Sequence, residues 1–391
     1  MTAILRIAYR TCRVPKVTPG TFVLIWLMCV IINGNAFADP FVLTFSELSP
    51  GVWVGIREDS TRLPVTGNTV FVTSEKGVVV FDGGSVPLAS ERVIAKIRDV
   101  TDQAVTHVAI SHWHGDHNLG ISRFSEEFPE VQFIGHPFTR AAMLGSNMDY
   151  ARESDRVEAQ LPGIRTLVES GVDRDGNPVS DTTRQWFEQF LEDAEIVDQE
   201  YRKARITPPD LTFTEKLVIH SGHRTIEFIY LGDANTAGDI VMWLPEERIV
   251  ATGDMVVAPT PYGFNMPPSK WVQTLRKLNG LGYRVLVPGH GNVQYDTNYV
   301  DLLIETAESI ADQRDILVQE GLSPEVALEQ LDFSAFEQRY TKGDPLLSER
   351  FEGWFSTPFR QASFKALTGE PMVLVEPSKL AEPVQHEEGN Q

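Results

Sequence analysis

Ser111-His112-Trp113-His114-Gly115-Asp116-His117 is the stretch on which the reading of this 391-residue chain turns. It places three imidazoles and a carboxylate side by side, directly after Ala104 to Ile110, an apolar run that reads as a buried strand. Loops at strand ends are where α/β and related folds present functional side chains. Adjacent imidazoles have no good core explanation, because each would need a buried partner. A metal ion accounts for all of them. In an extended loop His112 and His114 point the same way and can share one ion. Asp116 and His117 lie farther along and can turn toward a second. Imidazole and carboxylate suit zinc, iron or manganese, and a metal pair can bridge and deprotonate water.

Three further segments recur around this one in a fixed order: Phe81-Asp82-Gly83-Gly84, Ala251-Thr252-Gly253-Asp254 and Pro288-Gly289-His290-Gly291. Together with His-x-His-x-Asp-His after a strand, they resemble the metallo-β-lactamase superfamily of metal-dependent hydrolases. The resemblance spans roughly residues 50–295, with a helical stretch as an insertion. It implies an α+β fold, a four-layer αββα sandwich with the metal site at one edge of its two sheets. It also implies one metal site on His112, His114 and a third His, and another on Asp116, His117 and His290. Asp254 would bridge the two, and Asp82 would stand beside them as an orienting group.

One departure matters. The third His of the family precedes Thr-x-Gly-Asp, and in Leu231-Gly232-Asp233-Ala234-Asn235-Thr236-Ala237-Gly238-Asp239 that place is held by Asn235. A neutral amide oxygen is a weaker ligand than imidazole for a borderline metal. The first site should therefore bind more weakly, or Asn235 orients substrate or water instead. The sequence leaves one metal or two open. Asp254 stands where true β-lactamases mostly carry Cys or Ser, and resembles the lactonase, thioesterase and phosphodiesterase branches.

The function this implies is an exported hydrolase that uses a metal-activated hydroxide on a small ester, lactone, amide or related substrate. Asp116 or Asp254 would handle the proton. The cofactor expected is Zn2+, one or two ions, with iron or manganese as alternatives. Two other readings stand beside it: a catalytically weak metal-binding or sensor protein of the same fold, motivated by Asn235, and a di-iron oxidoreductase.

Working outward, Arg6, Arg10, Arg13 and Lys16 form a basic start, and Thr21 to Ile32 is apolar but short for a bilayer span. Ala36-Phe37-Ala38 then reads as a cleavage site. Residues 1–38 are thus expected to be a signal peptide, and the protein to be periplasmic or secreted with no stable membrane anchor after cleavage. Both cysteines, Cys12 and Cys29, fall in that leader, which leaves no thiolate for catalysis or metal binding. The net charge of −20 argues against a nucleic-acid partner. A composition with 42% hydrophobic residues excludes a largely disordered chain. The partner expected is a small-molecule substrate, and the oligomeric state is not legible.

Residues 39–305 are expected to form the metallo-β-lactamase-like domain, with a helical insertion at about 139–210. Residues 306–391 are expected to form a helical extension with a disordered tail after about Glu376. Short β-rich runs are expected at Phe41 to Phe45, Val52 to Ile56, Thr69 to Thr73 and Val78 to Phe81. Asp173-Arg174-Asp175-Gly176-Asn177-Pro178 has its glycine in the wrong place for an EF-hand and reads as a plain turn. Of the other histidines, His107 reads as structural, His136 as a structural residue after a strand rather than a site neighbour, His220 and His223 as turn residues, and His386 as part of the tail. Trp113 reads as packing support. Tyr262 and Phe264, in the proline-rich stretch after Asp254, are candidates for a pocket wall.

Overall fold

The computed structural model describes residues 39–153, 155–264, 266–373 and 375. The expected signal peptide, the tail and His386 lie outside the described residues. Two sheets pack face to face. The first holds, side by side, β1 (Thr44–Ser49), β2 (Val52–Ile56), β3 (Thr69–Ser74), β4 (Gly77–Phe81), β5 (Val105–Ala109), β6 (Gln132–Gly135) and β7 (Leu211–Thr212). Its first four strands form an antiparallel meander, and β4 to β7 run parallel. The second sheet holds β8 (Lys216–Ser221), β9 (Arg224–Tyr230), β10 (Ile240–Leu244), β11 (Ile249–Ala251) and β12 (Val285–Val287), in spatial order from β12 to β8.

Strand alternation builds the layers. Val70, Val72, Val79 and Phe81 of the first sheet meet Ile240, Met242, Leu244 and Val287 of the second in the central core. The intervening residues face outward into helices. Phe71, Val78 and Val80 pack on Val93, Ile94 and Ile97 of α1 (Pro87–Val100). Val241, Trp243 and Val250 pack beneath the helices of the opposite face. Both faces of these strands are thus buried, as expected of a sheet covered by helices.

The remaining helices are placed by their connections. After β5 come α2 (Gly115–Asn118) and α3 (Ser122–Glu127). Between β6 and β7 come α4 (Pro137–Leu144), α5 (Asp149–Arg152), α6 (Arg156–Ser170) and α7 (Asp181–Lys203). The long α7 is defined at its start by Ser180, whose hydroxyl accepts from Thr183 N, and carries Arg202 and Lys203 in its last turn. On the second sheet lie α8 (Pro268–Gly280) and α9 (Asn298–Gln319), the latter running across residue 305. Then follow α10 (Pro324–Glu329), α11 (Ser334–Thr341), α12 (Pro345–Arg350), a π-helical turn at Phe351–Ser356, and α13 (Thr357–Thr368).

Two elements differ from the sequence expectation. The first strand begins at Thr44 rather than Phe41, because Phe41 is fully buried in a cluster with Val86 and Val157. β7 is a two-residue strand that pairs with Ile134 and Gly135 as the chain returns from α7.

Candidate metal centre

The ends of β4, β5, β11 and β12, with the β9–β10 connection, converge at one edge of the sandwich. They carry Asp82, the 111–117 segment, Asp254, His290 and Asn235 respectively. One group of ligand atoms comprises Asp116, His117, Asp254 and His290, and a second comprises His112, His114 and Asp254. Within each group the atoms all lie within 4.8 Å of one another, and Asp254 belongs to both.

In the first group His290 Nε2 is 3.0 Å from Asp116 Oδ2 and 3.4 Å from Asp254 Oδ1. His117 Nε2 is 3.5 Å from Asp116 Oδ2, 3.1 Å from Asp254 Oδ1 and 3.2 Å from His290 Nε2. A tetrahedron with metal–ligand bonds of ~2.0–2.1 Å has edges of about 3.3 Å, so these spacings suit a common ion. In the second group His112 Nε2 faces Asp254 Oδ2 at 3.6 Å. The end of the Asn235 side chain meets His114 and Asp254, with Nδ2 3.2 Å from His114 Nδ1 and 3.3 Å from Asp254 Oδ2. His112 Nε2 and Asn235 Oδ1 are buried without a hydrogen-bond partner. Buried polar atoms without partners are costly, and a donor set of imidazoles and carboxylates at these spacings fits divalent metal.

Neighbouring residues fix these side chains. Asp82 sits at the end of β4 with φ 55°, a left-handed conformation that is uncommon outside glycine. Its Oδ1 accepts from Ser111 N at 2.8 Å, and its Oδ2 lies 2.9 Å from His117 Nδ1. The carboxylate thereby holds the loop and leaves His117 Nε2 facing the cluster. Ser111 Oγ bonds His112 Nδ1 at 2.8 Å, and Asn118 Nδ2 donates to the carbonyls of His112 and His114. Asn68 donates from Nδ2 to Pro288 O at 2.9 Å and Gly291 O at 2.8 Å, clamping the His290 loop. Asp239 accepts from Thr236 N and closes the turn that presents Asn235. Sequence reasoning gave Asn68, Ser111, Asn118 and Asp239 no role. Asp239 was visible inside the Thr-x-Gly-Asp motif, whereas Asn68 carried no local signal. Close approach also demands Gly289, where a Cβ would lie 2.1 Å from Asp254 Oδ1.

Charge is concentrated here. Burial opposes a proton on His117, but the carboxylates of Asp254, Asp116 and Asp82 overcome it and hold the metal-free imidazole well above its usual range. Burial pushes His112 well below, with the neighbouring His117 adding to the effect. Asp116 and Asp254 are pulled below the usual carboxylate range against burial, mainly by His117 and His290. Such an arrangement can exchange protons for cations with little change in net charge.

The other candidates fall away from the cluster or along its wall. His107 lies in β5, bonded to Thr106 Oγ1. His223 pairs with Glu75 at the far end of the strands, at 3.2 Å. His136 starts α4 and stacks on Tyr230. Asp173 accepts from Asp175 N and Asn177 N as the anchor of its own turn. Trp113 packs against the core under α1. Tyr262 is buried with its ring 5.4 Å from that of His290, and Phe264 is exposed at 43%.

The chain belongs to the metallo-β-lactamase superfamily, whose sequence profile matches residues 62–290. The superfamily binds divalent metals, and the cluster above is the chain's candidate for them. A linear primary-alkylsulfatase from a Pseudomonas species is 24% identical over 295 residues, covering 72% of this chain and 52% of that protein. An atrochrysone carboxyl ACP thioesterase from Aspergillus fumigatus is 23% identical over 263 residues, covering 67% of this chain and 62% of that protein. This chain thus spans between about half and three-fifths of the length of these relatives. Among solved structures, a stereoselective inverting sec-alkylsulfatase from Pseudomonas shares the fold, with a TM-score of 0.54 and 14% identity. That match covers 84% of this chain and 51% of the other.

Proposed function

We propose that this protein is an exported, zinc-dependent hydrolase of ester-type bonds, whether carboxylic, thio- or sulfate esters. The observation that carries the reading is the pair of ligand groups sharing Asp254. The relatives support the bond class, since they are an alkylsulfatase and a thioesterase. Asp116, His117, Asp254 and His290 would hold one ion, and His112, His114, Asp254 and Asn235 a second. Divalent metal held there supplies Lewis acidity and makes water a nucleophile at neutral pH.

The chain's own groups divide the remaining work. Asp82 fixes the tautomer of His117 from behind. Asp116 keeps 18% of its side chain exposed and is placed to take a proton from an incoming water and pass it on. Asn235 donates to Asp254 Oδ2 and presents a second amide atom that needs a partner. Rotating that amide by 180° would exchange its oxygen and nitrogen, so one side chain can serve either as a neutral ligand or as a donor.

The test is elemental analysis of residues 39–391 after dialysis in trace metal, followed by turnover of nitrophenyl carboxylic, thio- and sulfate esters. Two equivalents of zinc and hydrolysis abolished in Asp116→Ala are expected. One equivalent, rising to two in Asn235→His, would place the first ion at the Asp116 group alone. Metal retained without turnover of any ester would favour the sensor reading, and absence of metal would overturn both.

A further inference from the structure

His112, His117, Asn235, Asp254 and His290 are closed off from solvent, whereas His114 and Asp116 are part-exposed. The side of the centre that meets solvent is thus that of His114 and Asp116. Tyr150, from α5, stands there with its hydroxyl accepting from Gly115 N at 3.1 Å. The loop joining β2 to β3 runs along the same turn, with Gly67 N donating to Asp116 O at 3.0 Å. Tyr150 and that loop's Leu63 and Pro64 are also walls of a cavity of about 400 Å³, which α6 and α7 complete with Val157, Ile164 and Phe190. Its volume lies in the range of about 300–1,000 Å³ typical of small-molecule sites.

The cavity's walls are held in place. Arg57 Nη1 donates to the carbonyls of Arg62 and Pro64. Arg62 pairs with the buried Asp193 of α7 through Nε at 2.9 Å and Nη2 at 2.8 Å. Trp186 Nε1 donates to Thr61 O at 2.7 Å. The Arg156 guanidinium, itself a wall residue, sits over the Tyr201 ring at 3.7 Å from its centre. The walls of this space are mostly aliphatic and aromatic, beside Glu153, Arg156 and Gln160, and Tyr150 joins them to the Gly115–Asp116 turn, so the space suits a hydrocarbon.

We propose that this cavity receives the carbon chain of the substrate, with the scissile ester group lying against Asp116. The reaction in this proposal rests on the hydrolase reading above; the chain rests on the cavity alone. The helices between β6 and β7 then set substrate length, while the strand-end loops do the chemistry.

The experiment has two independent arms on metal-loaded protein. The first is a series of p-nitrophenyl esters from acetate to decanoate, in which kcat/KM should rise roughly three- to fourfold per methylene until the cavity fills. The second is displacement of N-phenyl-1-naphthylamine fluorescence, in which octan-1-ol should act at roughly tenfold or more below the concentration of butan-1-ol. Ala159 and Gln160 line the cavity from exposed positions on α6. Ala159→Trp should lower the octanoate-to-acetate ratio by about tenfold or more and weaken octan-1-ol binding as far; Gln160→Phe tests the same wall should the first variant fail to fold. A flat chain-length series, or chain-length and probe responses equal to wild type in a folded variant, overturns the proposal. Octan-1-ol binding lost in the variants, with no ester hydrolysed, upholds the cavity and overturns the hydrolase reading. Acetate turnover with no chain-length gain and no probe binding does the reverse.

Discussion

Asp82 is the residue at which local strain and chemistry meet. It holds φ 55° at a strand end while its two oxygens bond Ser111 N and His117 Nδ1. Strain of this kind persists only where the surroundings over-determine it, and here two hydrogen bonds to the metal loop do so. Asn at this position keeps the shape and tolerates the left-handed backbone. Its amide would accept from Ser111 N and turn its N–H toward His117 Nδ1. That exchange moves the imidazole proton to Nε2, the atom that faces Asp116 and Asp254. Asp82→Asn should therefore weaken metal binding by roughly 10–100-fold while leaving the fold intact. Competition against a chelator measures it, and an unchanged metal affinity would show that the carboxylate does not set the tautomer.

At the scale of elements, legibility followed periodicity. Val70 to Val72 and Val78 to Phe81 alternate between the central core and the layer under α1, and that period is written in the residues. The side chains quoted from four separated motifs meet in one cluster because each motif ends a strand. Asn68 and β7 escaped notice because their roles exist only once distant loops are side by side, the first clamping the His290 loop and the second pairing with β6. α4 shows how an element's start can set a pH response. His136 Nδ1 accepts from Phe138 N at 3.1 Å, the ring stacks on Tyr230, and burial pushes its pKa down to about 4, with Asp233 opposing. The folded state thus keeps this imidazole neutral while the unfolded chain takes a proton near pH 6.5. The contribution is full above pH 6.5 and is lost as pH falls toward 4. With the ring only partly shielded, roughly 1–2 kcal/mol is at stake after solvent screening. Asn also caps helices, so His136→Asn should keep α4 and flatten the pH dependence over that window. Urea midpoints of both proteins at pH 7, 6 and 5 decide it; parallel curves would mean His136 does not titrate on unfolding.

At the scale of the molecule, the described helices beyond β12 contribute to the core. Phe351, Phe355 and Phe359 are fully buried with Trp271 of α8 and with Val241 and Val250 of the second sheet. Phe355 stacks on Phe359 at 4.9 Å between centroids, and Trp271 packs edge-on against Phe359. Trp271 in turn donates from Nε1 to Met255 O at 3.1 Å, the carbonyl of the residue after Asp254. The aromatic cluster thus supports the turn at Gly253–Met255 that points Asp254 into both ligand groups. None of this was legible from the sequence beyond a helical pattern, because which helix face covers which sheet is decided by packing. Phe355→Ala should cost about 3–5 kcal/mol, the usual range for emptying an aromatic site in a core. Since metal binds the folded state, saturating zinc should offset part of that loss through mass action. Urea unfolding of wild type and variant, each with zinc and with chelator, measures both terms. A loss below about 1 kcal/mol, or a zinc effect absent from both proteins, would detach the C-terminal helices from the sandwich or the metal from the folded state.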